Sequence, residues 1–216
     1  MKQEMIMMDS EFNEKLKTGT TTVGIVCRDG VVLASESKAT MGYMIAHKEV
    51  EKIVQIDDAI GVTTAGGVGD LQAVIRVIKA QIVLYKLERG PATLKAVTTL
   101  LSNIFHGNRY YPLMASMLVG GRDVQGYHLY HVLLDGSSLK DKYISTGSGS
   151  PFAYGVLEDQ FNENMTVKEG IELAVKSIHA AIERDAASGG KHIRVATITE
   201  KGFEFVDEKI VKKMAG

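Results

Sequence analysis

The stretch Thr18-Gly19-Thr20-Thr21-Thr22-Val23-Gly24 divides the chain into two parts of different composition. Before it lies a polar leader with a short Met-rich run, Met5-Ile6-Met7-Met8. After it, Val23, Ile25 and Cys27 alternate, Asp29-Gly30 signals a turn, and Val31-Val32-Leu33-Ala34 returns, the pattern of a β-hairpin reaching to Lys38. Cutting the Gly19–Thr20 bond would leave one residue carrying both a hydroxyl and a free α-amine. That amine has a pKa near ~8, so it can act as a general base at neutral pH beside its own nucleophile. Gly19, without a Cβ, most readily takes the tight geometry in which the Thr20 hydroxyl meets its carbonyl. The same run also reads as an ordinary strand start, because β-branched Thr favours extended backbone.

Beyond the hairpin, a strand pair is expected at Ile53 to Ile56 and Ile60 to Thr64, and Ala65-Gly66-Gly67-Val68-Gly69-Asp70 ends a strand and opens a helix. That helix carries Leu71, Val74, Ile75, Ile78, Ile82 and Tyr85 at helical spacing and stops at Gly90-Pro91. A second helix spans about Thr93 to Phe105. Strands follow at Leu113 to Val119 and Tyr127 to Leu134, with Gly120-Gly121-Arg122-Asp123 read as the turn between them, and a shorter one at Lys142 to Ser145. A short helix to about Glu158 and a longer one capped by Thr166 precede strands at Ile193 to Thr199 and Phe203 to Val206, and the chain closes on a short basic helix. Strands, two helices, strands, two helices, strands, joined mostly by hairpin-length turns, predict an α+β fold with two antiparallel sheets covered by helix layers.

With 216 residues, 45% of them hydrophobic, one globular domain with a sizeable core is expected. The 25 basic and 26 acidic residues leave a formal net charge of -1, no footprint for nucleic acid or an anionic membrane. No window approaches the ~18 apolar residues of a membrane span, and the leader is too short in its apolar part for a secretion signal. The single cysteine, Cys27, cannot form an internal disulfide, reads as a buried structural residue, and fits a reducing compartment. The six histidines show no metal-ligand spacing with nearby carboxylates. Gly67-Val68-Gly69 fails as a dinucleotide fingerprint because Gln72 stands at the third glycine.

A Thr20 nucleophile would need a positive charge to lower its pKa, a carboxylate to hold that charge, and backbone N–H donors for an oxyanion. Lys52, beside the strand at Ile53, and Glu36, on the arm returning from Thr20, are candidates for the first two; each alone would read as a solvated surface charge. Gly66-Gly67 could supply the N–H groups, or serve only as a helix-opening turn.

Four stretches in order, Thr18 to Gly24, Ala65 to Asp70, Ser145-Thr146-Gly147-Ser148-Gly149-Ser150 with Tyr154-Gly155-Val156-Leu157-Glu158, and Arg184-Asp185-Ala186-Ala187-Ser188-Gly189-Gly190, together resemble the catalytic β subunit of an archaeal-type proteasome. The resemblance covers essentially the whole chain. It implies the four-layer αββα sandwich of the N-terminal nucleophile hydrolases, with residues 1–19 an autocleaved propeptide and 20–216 the peptidase domain. Cleavage would fall between Gly19 and Thr20. By the same resemblance Thr20 is the nucleophile, Lys52 the residue that lowers its pKa, and Glu36 the acidic partner. Asp185, Ser148 and Ser188 orient the threonine amine and its water, and the Gly66 N–H is the oxyanion donor. Thr40 would pair with an extended peptide, while Ala39, Val50, Val54, Thr64, Val68 and Gln72 line the pocket for the residue before the scissile bond.

The implied activity is a threonine endopeptidase needing no metal or cofactor, cytoplasmic, and without nucleic-acid or membrane partners. The implied assembly is α7β7β7α7, two heptameric β rings between two rings of α subunits, with unfolded polypeptides delivered through the α ring by a regulatory ATPase ring. The chain departs from the family at Ser37-Lys38, where two basic residues are common, and at Lys191-His192-Ile193-Arg194, where an Asp is common. A non-catalytic ring-forming subunit of the same particle is the alternative reading, against which all of Thr20, Glu36 and Lys52 are present. The hexameric bacterial peptidase is a further rival, but its chains are shorter and lack this C-terminal half. A nucleotide-binding module on the Gly-rich loops is a third, and tight ATP or NAD binding would mark it.

Overall fold

β1 (Thr21–Cys27) and β2 (Gly30–Ser35) are buried at nearly every position because the sheet they belong to is covered on both faces. The structure, a computed structural model, describes residues 19–215; of the expected propeptide only Gly19 lies among them. Val23, Ile25, Cys27, Val32 and Ala34 point to one face and pack under helices, while Val31 and Leu33 point to the other and meet a second sheet. The period-2 alternation of a strand thus distributes one hairpin between two cores.

The remaining strands are β3 (Ala39–Met41), β4 (Met44–His47), β5 (Ile53–Asp57), β6 (Ile60–Gly66), β7 (Ala115–Asp123), β8 (Gly126–Val132), β9 (Ser138–Asp141), β10 (Tyr143–Gly147), β11 (Arg194–Thr199) and β12 (Gly202–Phe205). The helices are α1 (Val68–Arg89), α2 (Leu94–Gly107), α3 (Ser150–Gln160), α4 (Val167–Arg184) and α5 (Glu208–Ala215). One five-stranded sheet runs β10-β1-β2-β11-β12, the other β5-β6-β7-β8-β9, and β3-β4 form a separate two-stranded sheet. The pairings are antiparallel throughout.

Three apolar clusters make the layers. Ile78, Ile82, Leu94, Leu101 and Phe105 of α1 and α2 pack on Val62, Met117 and Val119 of the second sheet. Leu118, Leu129, Leu33 and Ile198 fill the space between the sheets. Ala153, Leu157, Leu173, Ala174 and Ile178 of α3 and α4 cover the first sheet. The result is the four-layer αββα sandwich expected from the sequence. Thr166 caps α4 as expected: its hydroxyl accepts from the Glu169 N–H while the Glu169 carboxylate accepts from the Thr166 N–H, a reciprocal capping box.

The structure differs from the sequence expectation at Gly120 to Asp123, which is not a turn but the end of β7; the chain turns at Val124-Gln125. A Cβ on Gly120 would lie 2.9 Å from Val31 Cγ1, and one on Gly121 would lie 2.6 Å from the Ala59 carbonyl oxygen. These glycines admit close approach of neighbouring backbone and side chains, a tertiary need that looks like turn chemistry in the sequence. The short strands β3, β4 and β9 escaped the sequence pattern altogether.

Close approach also governs the joint between α4 and the first sheet. A Cβ on Gly170 would sit 2.4 Å from Cys27 Sγ and 3.2 Å from Val32 Cγ2. Replacing Gly by Ala gains about 1 kcal/mol of helix propensity, but overpacking a filled core costs roughly 1–3 kcal/mol. Gly170→Ala is therefore expected to lower stability in urea unfolding. Adding Cys27→Ala, which removes the obstructing sulfur, is expected to recover part of the loss; two effects that simply add would show that the contact is not the cause.

Candidate active site

At one end of the sandwich, strand ends from both sheets converge. Thr20 precedes β1, Glu36 follows β2, Lys52 precedes β5, Gly66 ends β6, Ser148 follows β10, and Asp185 is the C-cap of α4. The β1–β2 register, Thr22 opposite Ser35, brings Thr20 and Glu36 to the same edge.

Lys52 is almost wholly buried, at 4% exposure, and Glu36 completely so. Lys52 Nζ donates to Thr20 Oγ1 at 3.0 Å, to the Lys38 carbonyl at 2.5 Å, and to Glu36 Oε1 in a buried ion pair. The Glu36 carboxylate is further held by the N–H groups of Thr21 (3.1 Å, Oε1), Lys38 (2.6 Å, Oε2) and Gly189 (3.2 Å, Oε2). A buried carboxylate survives only with its lone pairs filled, and these donors fill them. Burial pushes the Glu36 pKa up, opposed by the Lys52 charge and these hydrogen bonds. Burial likewise pushes Lys52 down, opposed by Glu36. Both directions have the same cause, burial that disfavours the charged forms, and in both the pairing of the two groups opposes it.

In the uncut chain the Thr20 hydroxyl donates to the carbonyl oxygen of Gly19 at 2.7 Å, and the Gly19 N–H donates to Thr40 Oγ1 at 2.9 Å. The Gly19–Thr20 linkage is thus fixed at both ends beside Lys52. A Cβ on Gly19 would fall 1.8 Å from the Ala187 Cβ, so only glycine fits there.

A second polar cluster adjoins the first. Ser148 Oγ and Ser188 Oγ donate to Asp185 Oδ2 at 2.6 and 2.7 Å; Ser188 Oγ also shares a 2.6 Å hydrogen bond with Thr21 Oγ1. Ser148 Oγ lies 3.5 Å from the Thr20 carbonyl oxygen. Gly66 has φ +131, and a Cβ there would stand 2.1 Å from the Met114 carbonyl oxygen. The next residue's N–H donates to that same oxygen at 2.5 Å, and Asp70 Oδ2 accepts from the Met114 N–H, which pins the β6–α1 turn.

A cleft of about 260 Å³ opens beside Thr20. Six of the expected pocket positions, Ala39, Val50, Val54, Thr64, Val68 and Gln72, line it, together with Gly66, Lys52, Gly19 and Thr20. Thr40 does not line it and instead holds Gly19. Sequence reasoning missed Glu51, Leu71, Ile75 and Arg76, which also line the cleft. Positions 68, 71, 72, 75 and 76 recur at helical spacing, so the face of α1 carrying Val68 and Gln72 could have signalled them. It also missed Thr21, Lys38 and Gly189, whose parts are played largely by backbone atoms that leave no mark on side-chain type. Cys27, expected as structural, is buried away from this cluster, and its thiol pKa is pushed up to about 12, first by burial and then by Asp29 and Glu169.

Removing one partner of a buried ion pair costs more than the pair contributes. Glu36→Ala, which leaves the Lys52 charge buried, is expected to lower stability by about 3–5 kcal/mol in urea unfolding. Glu36→Leu with Lys52→Met, which leaves no charge, is expected to restore much of it; a double variant as unstable as Glu36→Ala would contradict this reading.

The model of the proteasome subunit family matches residues 16–198. The chain is 52% identical over 202 residues to the protein named proteasome subunit beta of Methanosarcina thermophila, covering 93% of this chain and 96% of that one. It is 52% identical over 203 residues to the protein of the same name from Methanococcoides burtonii, with coverage of 93% and 96%. To that of Archaeoglobus profundus it is 47% identical over 208 residues, with coverage of 95% and 96%.

Proposed function

The chain belongs to the proteasome subunit family, a family of the proteasome core particle and its protease activity, and from that premise we propose that it is a catalytic β subunit acting as a threonine endopeptidase. The observation that carries the reading is the placement of Thr20 Oγ1, 3.0 Å from Lys52 Nζ and 2.7 Å from the oxygen of the carbonyl it would attack.

In the first stage the chain activates itself. Lys52, made neutral by passing a proton to Glu36, takes the Thr20 hydroxyl proton as Oγ1 bonds to the Gly19 carbonyl carbon. That proton then goes to the Thr20 nitrogen as the C–N bond breaks. The product is an ester between Gly19 and Thr20 Oγ1 and a free Thr20 amine. Water hydrolyses the ester, releasing residues 1–19 with a new carboxylate and leaving Thr20 as the N-terminus. In the second stage the same hydroxyl attacks a substrate peptide, with the new amine available to move protons. In this scheme Asp185, Ser148 and Ser188 orient that amine and its water, and the Gly66 N–H is the oxyanion donor; the hydrogen bonds that join the three side chains beside Thr20 support the first role.

Ala39, Val50, Val54, Thr64, Val68 and Gln72 give the cleft mostly small, apolar walls, which favour a hydrophobic residue before the scissile bond; Thr40 would pair with the peptide backbone once Gly19 leaves. The subunit would work in heptameric β rings between α rings, with an ATPase ring supplying unfolded polypeptides. Among the described residues no helix is long and apolar enough to cross a membrane.

The alternative of a non-catalytic ring subunit is disfavoured by the burial of Lys52 and Glu36, which costs desolvation and serves Thr20. The test is peptide hydrolysis by the particle assembled with α subunits. Peptides with an apolar residue before the scissile bond are expected to be cleaved fastest, and Lys52→Ala is expected to lose roughly 10²–10⁴ of the rate. An assembled native particle without hydrolytic activity would leave the structural reading standing.

A further inference from the structure

The two stretches at which the sequence departs from its family, Ser37-Lys38 and Lys191-His192-Ile193-Arg194, meet in the folded chain. The His192 N–H donates to Ser37 Oγ at 3.1 Å, and Ser37 Oγ donates to the Lys48 carbonyl at 3.2 Å. The Lys191 N–H donates to that same carbonyl at 3.0 Å, and the Val50 N–H donates to the Ser37 carbonyl at 2.9 Å. Residues 48–52, which form no regular element and end in Lys52, are therefore seated against the segment that leads into β11.

The His192 ring stands between two carboxylates from different parts of the chain. Its Nε2 lies 3.4 Å from Glu49 Oε1, in that loop, and its Nδ1 lies 3.5 Å from Glu208 Oε2, in the first turn of α5. The side chain is only 18% exposed, and Nδ1 is buried with no hydrogen-bond partner among the described residues. Lys191 pairs with Glu49 at 3.1 Å, Arg194 pairs with Glu208 at 3.4 Å, and Lys212 approaches Glu208 at 3.9 Å. These are the charged groups that face the ring, from the loop, from its own segment and from α5. Beside them a cavity of about 170 Å³ is walled by Ile182 of α4 and Val211 of α5.

A neutral imidazole carries one N–H. Whichever nitrogen bears it, the other turns a lone pair toward a carboxylate oxygen, and only the imidazolium can donate to both. Imidazole side chains change charge between about pH 5 and 8, so the choice between the two forms falls in the physiological range. Lys191, by its hydrogen bond and then by its charge, holds the Glu49 carboxyl below its ordinary range, with His192 and Arg194 adding less, so Glu49 is an anion throughout. The two ends are otherwise held unequally. The loop keeps the backbone hydrogen bonds at Lys48 and Val50 when the ring is neutral, whereas α5 is eight residues long and begins at Glu208 itself. A helix this short is marginal without tertiary contacts.

We propose that His192 is a pH-sensitive clasp: as the imidazolium it joins Glu208 to Glu49 and fastens α5 to the loop that ends in Lys52, and as the neutral ring it releases α5. The clasp needs no bond to be cut, so it stands apart from the catalytic reading and is present in a chain without its nucleophile.

The full-length Thr20→Ala chain is compared with the same chain carrying His192→Gln, which is never charged, or His192→Lys, which always is. Local opening is read from hydrogen exchange of peptides covering residues 206–215, corrected for the intrinsic pH dependence of exchange. Between about pH 5.5 and about pH 8 the Thr20→Ala parent is expected to pass from the opening of the lysine variant to that of the glutamine variant, an increase of about fivefold, while β1 does not change. The same pH dependence in all three chains, or none in the parent, would overturn the proposal. A second measurement leaves the ring in place. The backbone amide signals of Glu208 to Val211 are expected to titrate with the same midpoint as the His192 Cε1–H signal, and to lose that midpoint in Glu208→Gln. Amides that do not follow the ring, or that follow it equally without the carboxylate, would overturn the proposal.

Discussion

A lysine and a glutamate buried together impose the strictest condition on this structure. Neither tolerates burial without partners, and the partners come from separated parts of the chain: the N–H groups of Thr21, Lys38 and Gly189, the carbonyl of Lys38, and the hydroxyl of Thr20. Those contacts fix the ends of β1, β2 and β5 and the loop after α4 relative to one another. Lys38 Nζ adds a 2.7 Å hydrogen bond to the Ala186 carbonyl, fastening the loop that carries Ser188. The sandwich supplies the apolar layers, and the ion pair determines how their open end closes.

The two polar clusters meet at Thr20 and Thr21. Thr20 faces Lys52, and Thr21 faces Ser188, with successive side chains pointing to opposite sides as in any strand. Thr22 then joins the sheets, its hydroxyl lying 2.8 Å from that of Thr63 and 2.7 Å from that of Thr146. Three consecutive threonines therefore have three different tasks. The third ties the reactive edge to the rigid interior, which limits how far Thr20 can move from Lys52.

How much of this was legible in the sequence varies by element. The alternation in Val23 to Ala34 and the turn at Asp29-Gly30 are strong local signals, and they alone place Glu36 beside Thr20. The helical stripes of α1, α2 and α4 are equally local, and their boundaries lie within a few residues of expectation. Lys52 is different: it reaches Thr20 through residues 48–52, which form no regular element, so its place beside the Ile53 strand made it a candidate that read equally as a solvated charge until the resemblance to the proteasome family singled it out. Gly120 and Gly121 misled because two glycines signal a turn locally whereas here they admit Val31, Leu33 and the Ala59 carbonyl. The β3–β4 hairpin was missed because its strands are too short to alternate and β4 is exposed at every position. Thr21 and Gly189 act through backbone N–H groups, which any residue type could supply.

The chemical claim at the centre is that the Thr20 hydroxyl attacks the Gly19 carbonyl within its own chain. Intact mass of the full-length native chain, incubated with its α-subunit partner beside a Thr20→Ala chain treated identically, tests it most directly. The expected result is loss of residues 1–19 from the native chain while the variant stays whole. Identical trimming of both chains, or a native chain that remains full length in the assembled particle, would contradict it.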